Sequence, residues 1–200
     1  MNQQNLPPDP GGEMADTSAA AELTQMSDET TAAPTAGVPG VSIAERSQGL
    51  PMRARQALKT AGQLIEQRQL DEAERVLDKI RAQAAKHPEF LRVLGVARHL
   101  RGRHVEAATL LRRALELAPG DALIFTNLGS VLGAQRDYVG ATVAFQRACA
   151  LDPTLAAPWY NLGKALGKQF RVEDALAAFD EALRRDKDHV TTRIARAGLL

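Results

Sequence analysis

Residues 156–189 read AAPWYNLGKALGKQFRVEDALAAFDEALRRDKDH. Apolar side chains recur there at helical spacing, first through Trp159, Leu162 and Leu166, then through Ala175, Phe179 and Ala182. A short polar turn divides the two runs, so the stretch encodes a pair of amphipathic helices. Aligned with itself, the chain returns to this pattern every 34 residues. Four units result, 54–87, 88–121, 122–155 and 156–189, and a fifth begins at Val190 and is cut at Leu200. A single hairpin cannot bury its own apolar face, so stacking of neighbours must supply the stability.

Counting each unit from 1 exposes the rule behind the repeat. In the fourth unit Trp159 stands at position 4, Leu162 at 7, Gly163 at 8, Ala175 at 20, Phe179 at 24 and Ala182 at 27. The third unit has Phe125, Leu128, Gly129, Ala141, Phe145 and Ala148 there, with Pro153 at 32. The second has Leu91, Leu94, Gly95, Ala107, Leu111, Ala114 and Pro119. The first is weaker, with Ala57, Thr60, Ala61, Ala73, Leu77 and Ile80, and its proline is delayed to Pro88. Large residues fill the space between two helices, while small ones at 8, 20 and 27 let the axes approach to about 8–10 Å. The proline cannot continue the second helix and so sets where the next unit starts. Asp121 and Thr154 are placed to cap the helices that follow them.

These residues, at this spacing, resemble the tetratricopeptide repeat family over about two-thirds of the chain. The resemblance implies an all-α fold, a right-handed superhelical solenoid of antiparallel helix hairpins. Two departures stand out. Arg98 takes a packing position (11) filled by leucine in the other three units, which predicts looser packing between units one and two. Gly140 falls inside the second helix of unit three, at a cost of roughly 1 kcal/mol relative to alanine.

The family likeness also implies where a ligand would sit. The first helix of each unit lines the concave face, with positions 2, 5, 6, 9, 12 and 13 turned into the groove. The expected peptide-binding residues are Arg92, Thr126, Asn127, Ser130, Tyr160, Asn161, Lys164 and Lys168. Asn127 and Asn161 share position 6, where a carboxamide offers both donor and acceptor to an extended backbone, and related arrays use an asparagine ladder there. Gly133 and Gly167 remove side chains at position 12. Lys164 and Lys168 lie one turn apart and favour an acidic, extended partner segment.

Composition bounds the rest. Hydrophobic residues make up 44% and aromatics only 4%, which favours closely packed helices over a β-sandwich. Residues 1–48 carry seven acids against a single base, Arg46, whereas residues 49–200 carry 24 bases and 17 acids. Residues 1–50 are rich in proline, alanine, glycine and threonine without a sustained period, and are expected to be a disordered acidic tail ahead of an array spanning 51–200. That tail is a candidate internal competitor for the basic groove.

Catalysis is not expected of these residues. There is no glycine-rich phosphate loop, no G-x-S-x-G and no carboxylate pair placed on a cleft. His87, His99, His104 and His189 occupy unrelated repeat positions, and no metal or other cofactor is expected. Cys149 falls at an apolar position, so it reads as a small buried hydrophobe. Arg92, Arg98, Arg101 and Arg103 cluster, but without the interleaved aromatics that stack nucleic-acid bases. No stretch approaches the roughly 18 apolar residues needed to span a bilayer, and a cytoplasmic protein-binding module is the expectation. The final run VTTRIARAGLL stops inside a helix, which suggests the front of a longer protein. Its style is similar to the repeat region of bacterial tetratricopeptide-containing sulfotransferases. The alternative expectation is therefore a non-catalytic N-terminal region that presents substrate to a transferase domain absent here.

Overall fold

In a computed structural model of the chain, residues 42–199 are described. The expectation of a disordered tail falls mostly outside that range. Ten α-helices run through the described residues: α1 (Ile43–Arg46), α2 (Met52–Glu66), α3 (Leu70–Ala84), α4 (Pro88–Leu100), α5 (His104–Leu117), α6 (Ala122–Ala134), α7 (Tyr138–Leu151), α8 (Ala156–Gly167), α9 (Val172–Arg185) and α10 (Val190–Ala197). From α2 onward they follow the repeat. Each unit is one antiparallel pair, its second helix packs on the first helix of the next, and successive first helices also touch.

The core follows the repeat positions. Gly129 and Gly163 let α6 and α8 lie directly on the rings of Phe145 and Phe179, since a Cβ added to either glycine would stand 2.6 Å from its phenylalanine. Ala73, Ala107, Ala141 and Ala175, all at position 20, are fully buried. The turn inside each hairpin is also the same four times over. Arg68, Gly102, Arg136 and Phe170, at position 15, all adopt positive φ between 60° and 76°. The following amide then reaches back to the carbonyl at position 11, as from Gln69 to Leu64 at 2.8 Å and from Asp137 to Leu132 at 2.9 Å. Only unit two has a glycine in that left-handed conformation; the other three bear the cost on a side chain.

Two local expectations change and two hold. Asp121 does cap α6, accepting from the Leu123 amide at 3.0 Å and the Ile124 amide at 3.3 Å. Thr154 does not cap α8: its amide and hydroxyl turn back to Asp152 Oδ1 at 3.0 and 2.6 Å, and Leu155 is the residue at the cap. Arg98 stands at the joint between units one and two, where α3 and α4 pack less closely than α5 on α6 or α7 on α8, as its place at position 11 predicts. It is mostly buried and bridges Glu74 at 3.1 Å and Glu106 at 3.8 Å, while Arg101 pairs with Glu74 and Asp71. Gly140 is the third residue of α7 rather than an interior one, and its amide donates to Asp137 Oδ1 at 2.8 Å.

Order reaches back ahead of residue 50 among the described residues. Ser42 opens α1 with a capping box, its hydroxyl accepting from the Glu45 amide while Glu45 Oε2 accepts from the Ser42 amide at 2.7 Å. Ser47 and Leu50 are buried, so the chain is packed against its neighbours before the first repeat begins.

Candidate groove site

The first helices of units three and four carry the open part of the concave face. Lys164 is half-buried on α8, with its Nζ 5.5 Å from the centre of the Tyr160 ring. That ring is fixed from behind, 6.0 Å from Phe179 and edge-on to His189 at 5.3 Å. Burial, and secondarily the neighbouring charge of Lys168, hold the Lys164 ammonium below its usual pKa. Neither Lys164 nor the exposed Lys168 pairs with an acid among the described residues. Burial likewise raises the Tyr160 phenol, partly offset by a hydrogen bond with Thr191.

On α6 the expected residues divide. Asn127 is half-buried, and its Nδ2 is fully enclosed yet has no acceptor. Such an orphaned donor costs free energy until something accepts from it. Ser130 is half-buried and donates to the Thr126 carbonyl at 3.1 Å, which leaves its oxygen free to accept. Asn161, one unit on, is buried.

Two further expected binding residues are not on an open surface. Arg92 is buried, and its guanidinium is spent on Glu89, with Nε to Oε2 at 2.9 Å and Nη2 to Oε1 at 2.7 Å. Thr126 is buried as well, and its hydroxyl donates to the Ala122 carbonyl at 2.8 Å. Both occupy position 5, which is buried in units two and three. Tyr160 is the position-5 residue that remains accessible.

Sequence spacing missed one further pairing. The turn between α4 and α5 brings His99 Nδ1 within 3.1 Å of His104 Nδ1, with ring centres 5.0 Å apart. Burial first, and then the charge of His104, lowers His99 to about 4. Cys149 is enclosed between α7 and its neighbours, and burial pushes its thiol up to about 12, so it stays protonated at neutral pH. No helix of the described residues is long and apolar enough to cross a membrane.

This scaffold is matched by known repeats. A tetratricopeptide repeat model matches residues 63–122, a second repeat model matches 134–169, and a third matches 156–189. No curated protein matches the chain. Among solved structures, MamA (residues 41 to the end) from Desulfovibrio magneticus RS-1 superposes with a TM-score of 0.64 at 21% identity, covering 76% of this chain and 85% of its own. PilF of Pseudomonas aeruginosa gives 0.69 at 19% identity, over 74% of this chain and 68% of its own. The first repeat domain of Spaghetti (RPAP3), solved bound to the HSP90 peptide SRMEEVD, gives 0.55 at 16% identity, over 56% and 89%. In register, turn geometry and core, the chain belongs to the tetratricopeptide repeat family.

Proposed function

We propose that this chain is a protein-interaction module that binds an extended, carboxylate-rich segment of a partner along the inner faces of α6 and α8. One observation carries the reading: Lys164 is partly dehydrated, carries no acid partner among the described residues, and lies over an anchored tyrosine. A cation held in that state loses hydration without recompense, and an incoming carboxylate restores the balance. The enclosed, acceptor-less amide of Asn127 supports a ligand that also offers carbonyl oxygens. Lys168, a turn further on, widens the same positive surface. The acidic peptide bound by the Spaghetti repeat domain has the chemistry this surface would select.

That peptide, SRMEEVD, is a suitable probe. Titrated into the full chain, it should bind saturably, and the affinity should fall with rising salt. Replacing Lys164 and Lys168 together with alanine should weaken binding by about tenfold or more, as expected for losing charge-assisted hydrogen bonds of about 1.5–3 kcal/mol. Asn127→Ala should weaken it to a lesser degree. Binding that is indifferent both to salt and to the double substitution would overturn the reading, as would no binding at all.

A further inference from the structure

The inner face is open at units three and four, but further forward it is already occupied by this chain. Ile43 of α1 fills the space that Gly62 leaves at position 9 of unit one: a Cβ added to Gly62 would lie 2.6 Å from Ile43 Cδ1. Arg46 then bridges two acids from opposite ends of unit two. Its Nε donates to Glu89 Oε2 at 3.0 Å, and its Nη2 donates to Asp121, which also caps α6. The Gln48 carbonyl lies 3.0 Å from His87 Nε2. Arg46 is the single base among residues 1–48, so the contact reverses the expected charge pattern, in which acids of the tail would seek a basic groove.

The electrostatics explain why the arginine is needed. Glu89 is only 1% exposed, and its carboxyl is held below the usual range because Arg92 and Arg46 outweigh the cost of burial. Together Arg46, Arg92, Glu89 and Asp121 sum to zero charge. Without Arg46 one negative charge is left over in an enclosed place. A guanidinium answers that need better than an ammonium, because its planar fork presents two N–H groups to two carboxylates at once. The segment that delivers it has little order of its own. α1 is a single turn, too short to persist alone in water, and it joins the array through Gly49 at φ 89°.

We propose that residues 42–50 are an internal ligand of the groove. The Glu89–Asp121 pair is a guanidinium subsite filled in cis by Arg46, and an arginine-bearing segment of a partner protein competes for it. The proposal rests on reading the inner face as a ligand surface, and it confines an outside peptide to units three and four until residues 42–50 are displaced.

Backbone amide exchange of the full chain tests it without any outside ligand. Arg46→Ala should speed exchange at residues 43–47 by about tenfold or more, with α2–α4 and α6–α9 still protected. Asp121→Asn, which keeps the helix cap but removes the charge, should reproduce this effect. A synthetic peptide of residues 42–50 should then bind the Arg46→Ala chain saturably and wild type at least about tenfold more weakly, the occupied subsite acting as the competitor. The same peptide with alanine for its arginine should bind neither. Unchanged exchange after Arg46→Ala overturns the proposal. So does exchange that rises across α2–α4 as well, because α1 is then part of the first hairpins. So does a peptide that binds both chains alike, or neither. Failure of SRMEEVD to bind leaves the exchange result standing, so the two readings fail separately.

Discussion

At repeat positions 2, 5, 6, 9 and 12, unit two carries Glu89, Arg92, Val93, Val96 and His99, and all five are buried. Unit four places Ala157, Tyr160, Asn161, Lys164 and Gly167 at the same positions, and of these only Asn161 is buried. The backbone scaffold is the same, down to the left-handed residue in each turn. What differs is whether the charges are matched inside the protein. In unit two Arg92 meets Glu89 within its own helix, and Arg46 completes the set. In unit four Lys164 and Lys168 meet no acid among the described residues. Repeat register therefore tells which way a side chain is aimed, and local charge pairing tells whether its charge is matched within the protein.

The sharpest way to break this contrast is to remove one cation from each end. Arg92→Ala strands Glu89 in a nearly sealed site with a single remaining partner. It should cost about 3–5 kcal/mol, the usual penalty for breaking a buried ion pair from one side. Lys164→Ala removes a cation that holds nothing together beyond its contact with Tyr160, and should cost less than about 1 kcal/mol. Urea denaturation of both variants gives the comparison directly. Equal losses would erase the distinction between a structural front and a receptive rear.

Acid should separate the two ends as well. His99 titrates at about 4 in the folded chain, below its ordinary value of 6.5. A base whose folded pKa is depressed contributes its full stability above the unfolded value and loses it as pH falls. The window here runs from pH 6.5 to about 4, and the loss across it is about 3 kcal/mol at most. His99→Gln should flatten the stability profile over that range. Unit four has Gly167 at the same position and adds no such slope. If His99→Gln left the acid limb as steep as before, the slope would have to come from elsewhere.

Much of this was readable before any coordinates, and for identifiable reasons. Small residues at positions 8, 20 and 27 and a large one at 24 signal closely approaching helices, and the structure makes Gly163 against Phe179 one such approach. The cap at Asp121 follows from a local rule. By contrast, Arg92 and Thr126 were placed on the ligand face because register gives direction and not depth. Thr154 lost the cap of α8 because Asp152, two residues earlier, captures both its amide and its hydroxyl. The helix at Ile43–Arg46 lies in a stretch without apolar period, and the partners of Arg46, Glu89 and Asp121, lie 43 and 75 residues further on. No local pattern could signal those partners.

The smallest expected difference concerns how closely the paired helices approach. In unit four an alanine Cβ at position 163 would stand 2.6 Å from the ring of Phe179, which is itself only 1% exposed and has nowhere to move. In unit two the same change at Gly95 meets Leu111 at 3.1 Å, a far milder intrusion. Each substitution also gains about 1 kcal/mol of helix propensity. Overpacking of about 1–3 kcal/mol should outweigh that gain for Gly163→Ala, whereas Gly95→Ala should come out near neutral. If the ring is the cause, Phe179→Leu combined with Gly163→Ala should be more stable than the sum of the separate losses implies, since residues in contact do not add. Strict additivity would mean that the glycine is needed for some other reason than its neighbour across the hairpin. A recovered double variant would show instead that glycine with phenylalanine in unit four and glycine with leucine in unit two are two solutions to one spacing. The ends of the array then differ in the charge on their inner faces and not in the way their hairpins are built.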